Sequence, residues 1–126
     1  KDKTVSARSD FSESFMKSYK SATKEELESY IKDIKKKGNK LILSKSYIDV
    51  KNYKSTIKNY LKAVVDYTYI LNKNIGFWEN QYYSTVETIN EQLESLTNEL
   101  LSEEKENLDI SSTIDTIQGL LIDIYK

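Results

Sequence analysis

The sequence predicts an all-α fold, an elongated antiparallel bundle of three long helical segments and a shorter C-terminal helix, on three observations. Proline is absent and glycine occurs only at Gly38, Gly76 and Gly119, too few turn residues for a β-rich chain of 126 residues. Apolar residues recur three and four positions apart along most of the length. Hydrophobic residues make up 38% and charged residues 31%, a ratio suited to a slim bundle with much surface for its volume.

Residues 1–9 are mostly polar and read as a flexible N-terminal segment, the trimmed or processed end of a longer product; residues 10–126 read as one helical-bundle domain. Phe11, Phe15, Tyr19 and Ala22, then Leu27, Tyr30, Ile31 and Ile34, place a first helical region over 10–37. Thr23 and Glu26 have capping-box spacing within it. Lys35-Lys36-Lys37 complements a helix C-terminus, and Gly38-Asn39 is the expected stop. Leu43, Tyr47, Val50, Ile57, Leu61, Val64 and Leu71 describe a second helix from Lys40 to about Asn74. The stretch Asn72 to Gly76 is the clearest turn signal. Val86, Ile89, Leu93, Leu96 and Leu100 mark a third helix running to about residue 107. Asp109 or Ser111 then caps a last helix on Ile110, Ile114, Ile117, Leu121 and Ile124.

Charge is split along the chain. Residues 1–63 hold sixteen Lys+Arg against eight Asp+Glu and residues 64–126 hold three against twelve, so the net of −1 is +8 in front and −9 behind. If the second and third helices form a hairpin, facing residues have numbers summing to about 150. Ile57 then meets Leu93, Leu61 meets Ile89 and Val64 meets Val86. The same register sets Lys51, Lys54, Lys58 and Lys62 near Glu99, Glu94, Glu91 and Glu87, so internal ion pairing is the expected role of the lysine stripe.

Much chemistry is excluded. Without histidine or cysteine the chain lacks the commonest general base, metal ligand and thiolate nucleophile, and no phosphate-binding loop or EF-hand pattern occurs. Ser14/Lys17, Ser21/Lys24 and Ser55/Lys58 have S-x-x-K spacing, but about two such pairs arise by chance and the partner motifs of penicillin-interacting enzymes are missing. Glu103, Glu104 and Glu106 read as a solvated face. The chain is expected to be no enzyme and to take no cofactor or metal.

Two surfaces remain as binding candidates. Tyr67, Tyr69, Phe77, Trp78, Tyr82 and Tyr83 lie on both sides of the turn, so a hairpin gathers them at one end, where they either plug the bundle or bind a protein partner. The basic stripe Lys51, Lys54, Lys58 and Lys62, with Tyr53 and Tyr60 between, has the residue types of a nucleic-acid surface, but a pI near 5.6 and a single arginine argue against that partner.

Eighteen lysines, thirteen isoleucines and nine asparagines against three alanines point to an AT-rich genome, and so to a low-GC bacterium. The hairpin also resembles the small type VII secreted proteins, which join two helices at a W-x-G turn and carry Y-x-x-x-[DE]. Tyr83 and Glu87 match that signal, but Gly76-Phe77-Trp78 runs in the reverse order and the Tyr/Glu pair opens the third helix instead of following the hairpin. That resemblance stands as a minor alternative. The main expectation is a non-enzymatic interaction or sensory domain, the extracytoplasmic part of a lipoprotein or surface protein anchored to the membrane through a part outside this chain. A cytosolic adaptor or phage-encoded inhibitor is the alternative.

Overall fold

The computed structural model describes residues 24–71, 75–102 and 104–125, and these form an elongated bundle of helices. Helix α1 occupies 24–44, α2 Tyr47–Leu71, α3 Ile75–Leu100 and α4 Ser111–Asp123, with a 3-10 turn at Lys105–Asn107 before α4. The expected helical positions Phe11, Phe15, Tyr19 and Ala22, the Thr23 cap and residues 1–9 lie outside the described residues. So do Ser14, Ser21 and the turn residues Asn72 to Asn74.

The hairpin of α2 and α3 has the expected register. Tyr69 donates to the Glu79 carboxylate near the turn. Ile57, Leu61, Val86 and Leu93 line one groove in the middle, and Tyr47 and Val50 share a cleft with Leu100 and Leu101 at the far end. Helix α4 returns along α3, and all five of its expected core positions, Ile110, Ile114, Ile117, Leu121 and Ile124, are buried. The N-cap of α4 is Ile110, not Asp109 or Ser111, and makes no side-chain cap; the Asp109 carboxylate just before it accepts the Ser111 backbone N–H at 3.0 Å and the Ser111 hydroxyl. Helix α3 stops at Leu100 instead of running to 107. The sequence there places Glu103, Glu104 and Glu106 beyond a helix C-terminus, where the backbone dipole is already negative. The Ser102 hydroxyl takes up the Glu99 carbonyl at the break.

The boundary between the first two helices departs from expectation. Helix α1 runs through Gly38-Asn39 to residue 44, and the break falls at Lys45-Ser46, with Lys45 in the left-handed region at φ 49°. Gly38 serves packing instead of termination. A Cβ built there lies 2.9 Å from Ile114 Cγ2 and 3.3 Å from Tyr53 Cε1, so α2 and α4 close onto α1 at the one residue that lacks a side chain. What starts α2 is Ser46-x-x-Asp49, in which the Ser46 hydroxyl accepts the Asp49 N–H at 3.2 Å. The Asp49 carboxylate accepts from the Ser44 hydroxyl and lies 3.6 Å from the Lys40 ammonium. Chiefly the Ser44 hydrogen bond, with help from Ser46 and Lys40 and against the opposing effect of burial, holds the Asp49 pKa below its ordinary 3.8. Because the helix phase resets here, Leu43 (87% exposed) and Tyr47 point to solvent, and Leu41 is the core residue of this stretch.

The largest fully buried side chains are Tyr53 and Tyr60, seven residues apart on α2. Tyr60 donates to the Leu121 carbonyl at 2.6 Å and meets Tyr30 edge-on, with ring centroids 6.4 Å apart. These two tyrosines therefore face away from the lysine stripe, and the aromatic interleaving of a nucleic-acid surface does not exist. Lys37 donates to Thr56 at 2.7 Å and Gln118 to the Ile31 carbonyl at 3.4 Å, tying α1 to both its neighbours.

Two predictions follow from this packing. Gly38→Ala gains about 1 kcal/mol of helix propensity but overpacks the contact, for a net destabilisation of about 1–2 kcal/mol. Gly119→Ala, with nothing within 4 Å of its Cβ, should stabilise by about 0.5–1 kcal/mol. Urea unfolding of both variants checks the pair, and equal stabilisation would remove the close approach at Gly38. Asp49 titrates lower in the folded than in the unfolded chain, so its contribution is present above the unfolded pKa and disappears as pH falls through the folded one. Asp49→Asn should therefore be less stable than the parent at neutral pH, and the gap should close in acid below the ordinary carboxylate range; a gap independent of pH would dismiss the carboxylate.

Candidate functional site

The six tip aromatics are brought to one end of the bundle, and burial sorts them into two groups. Tyr82 is only 8% exposed and donates to the Leu61 carbonyl at 3.2 Å, which makes it a core residue of the hairpin. Trp78 stacks on it with ring centroids 4.8 Å apart, and Tyr67 is half-buried against the same core. Tyr69, Phe77 and Tyr83 are 50%, 81% and 63% exposed. Tyr83 meets the edge of Tyr82 at 5.4 Å, which orients its ring from beneath while leaving its outer face open. The Glu79 carboxylate that accepts the Tyr69 hydroxyl hydrogen bond is the main cause of the upward shift of that phenol's pKa.

The α4 C-terminus completes the tip. Trp78, Gln81, Tyr82 and Thr85 of α3 enclose a cleft of about 280 Å³ with Asp123 and Ile124. Gly76, expected in the turn, sits in the first turn of α3 with open space beside it. The arrangement offers aromatic faces and the Tyr69–Glu79 phenol–carboxylate pair. Among the described residues no group of three or more acidic side chains is placed to hold a metal ion.

The lysine stripe lies along the outer edge of α2. Lys54, Lys58 and Lys62 form one bank of a groove of about 610 Å³ between α2 and α3, floored by Ile57, Leu61, Val86 and Leu93 and faced by Asn90, Glu94 and Asn98. The hairpin register puts lysines and glutamates level, as expected, but the expected ion pairs do not close. Among the described residues, Lys51, Lys54, Lys58 and Lys62 have no carboxylate within 4 Å. Lys37–Asp33 at 3.0 Å and Lys40–Asp49 at 3.6 Å do pair, each within the basic half. The groove separates the banks by the width of its apolar floor, a spacing that a one-dimensional register does not contain.

A family model described as "Protein of unknown function (DUF327)" matches residues 1–125. The chain belongs to the DUF327 family. The DUF327 chain is 29% identical over 104 residues to the uncharacterized protein YaaR of Bacillus subtilis, covering 80% of this chain and 71% of that one. Among solved structures it resembles the BH1478 protein of Bacillus halodurans with a TM-score of 0.78 and 25% identity, over 91% of this chain and 97% of that one. Protein TM1646 of Thermotoga maritima, described with the same family, superimposes with a TM-score of 0.79 at 24% identity over the same shares. All three relatives are bacterial.

The tip predicts a division that stability measurements can read. Tyr82→Phe should cost about 1 kcal/mol through the lost hydrogen bond to Leu61. Trp78→Ala should cost about 2 kcal/mol or more, while Phe77→Ala and Tyr83→Ala should stay within about 0.5 kcal/mol of the parent. Denaturant midpoints check it, and destabilisation by Phe77→Ala equal to that by Trp78→Ala would show the tip to be a plug throughout.

Proposed function

We propose that this DUF327 protein is a non-enzymatic adaptor that binds a protein partner through the aromatic end of its α2–α3 hairpin. The observation that carries the reading is the exposure of Phe77, Tyr83 and Tyr69 around the buried Trp78–Tyr82 stack. Aromatic rings supported from beneath present a large contact area with few rotatable bonds, which is how interface hot spots gain energy at low entropic cost. Tyr69 adds a phenol–carboxylate pair beside the apolar faces, suited to recognising backbone or amide groups.

We place the adaptor in the cytoplasm, in preference to the cell surface. Among the described residues no helix is long and apolar enough to cross a membrane.

The test is site-specific photo-crosslinking in bacterial cells with the probe at Phe77 or Tyr83, against a control probe at exposed Lys32 on α1. A discrete protein adduct is expected from the tip positions alone. With the partner purified, Phe77→Ala and Tyr83→Ala should each weaken binding by about 2 kcal/mol. Fractionation of the untruncated gene product should recover it from the cytoplasm; recovery from membranes would restore the surface reading, and adducts equal at Lys32 and the tip would dismiss the binding surface.

A further inference from the structure

We infer that the groove between α2 and α3 is the contact face of a symmetric homodimer, its occupant being the same face of a second copy of this chain. The face has an apolar floor, Ile57, Leu61, Val86 and Leu93, with a basic bank of Lys54, Lys58 and Lys62 on α2, and on α3 a bank where Glu94 stands between Asn90 and Asn98. Helix α3 holds five glutamates and no lysine or arginine, and Glu87, Glu91 and Glu94 are exposed along it. Neither bank is neutralised within the chain, because the stripe lysines have no carboxylate within 4 Å among the described residues.

That pattern is self-complementary under one symmetry operation. A two-fold axis lying in the contact plane and parallel to the helices carries α2 of one copy over α3 of the other, and leaves positions along the axis unchanged. The antiparallel register that sets Lys58 level with Glu91 and Glu94, and Lys62 level with Glu87, is therefore reproduced across the interface. Both edges of the contact become basic against acidic at once, as an isologous interface requires. A nucleic acid would be attracted by one bank and repelled by the other, and an acidic peptide would meet the same conflict.

The available area suits a stable pair. Helices of 25 and 26 residues are about 38 Å long, and two of them side by side are about 20 Å wide. Contact over the whole face buries roughly 700 Å² on each copy, within the range of standard specific interfaces. The shallow apolar floor makes charge pairing a main source of specificity, so association should weaken with salt.

Sedimentation of the full chain tests the dimer, using two charge-reversed variants. One carries Lys54→Glu, Lys58→Glu and Lys62→Glu and has two acidic banks; the other carries Glu87→Lys, Glu91→Lys and Glu94→Lys and has two basic ones. The parent is expected to dimerise and each variant alone to be monomeric, with association at least tenfold weaker. An equimolar mixture should form a heterodimer, since each acidic bank then meets a basic one. Circular dichroism confirms that the variants fold, and the single changes Lys58→Glu and Glu91→Lys repeat the comparison with less perturbation. A parent that stays monomeric at several hundred micromolar overturns the inference. So does a dimer indifferent to both reversals, which would move the contact to another surface, such as the one where exposed Tyr47 and Leu101 share a cleft.

Discussion

The bundle is organised around two tyrosines on one face of α2. Tyr53 and Tyr60 are too large to bury against a single neighbour, so α1 and α4 must both reach them. At Tyr60 the chain meets the cost of a buried hydroxyl with a hydrogen bond to the Leu121 carbonyl. At Tyr53 the ring is accommodated by removing a side chain from the opposing helix, at Gly38. The Tyr53 hydroxyl is buried without a partner among the described residues, and desolvation, with the Asp115 charge adding to it, pushes its pKa up so that it stays a neutral phenol. The glycine costs helix propensity and the orphan hydroxyl costs solvation; burial of two large rings offsets both.

Placing these rings inward also decides what is left outside. The core face of α2 holds Tyr53, Ile57, Tyr60 and Val64, and the lysines fall on the edge beside α3. Helix α3 buries Ile89, Leu93, Leu96 and Leu100, which leaves Glu87, Glu91 and Glu94 exposed, Glu94 on the edge that faces the lysines. The charge split of the sequence thus becomes two parallel banks with an apolar groove between them, while aromatic residues collect at the hairpin end. One surface is electrostatic and extended and the other aromatic and local, so they are suited to different contacts.

Membership in the DUF327 family and the likeness to two solved bacterial helical bundles agree with the fold. The described residues hold no metal cluster and the chain has no histidine or cysteine. An adaptor reading uses what is present, namely rigid helices, supported aromatics and patterned charge.

Periodicity alone determined the helical class, the seams of α3 and α4 and the hairpin register, because each depends on spacing within one or two segments. Ile110, Ile114, Ile117, Leu121 and Ile124 were legible as a core stripe for that reason. Tyr53 and Tyr60 share the helical spacing of Ile57 and Val64, so the sequence does mark them as core, but the lysines between them give the same residues the pattern of an exposed aromatic stripe. Ser46-x-x-Asp49 was likewise in the sequence, eclipsed by the stronger stop signal of Gly38-Asn39. Only tertiary structure decided that Gly38 is a packing site, since what a missing Cβ makes room for is set by Tyr53 and Ile114 from two other helices. It also decided that the lysines and glutamates stand level yet unpaired, and which tip aromatics are buried, because the distance between helix edges depends on the side chains packed between them and not on position along either helix.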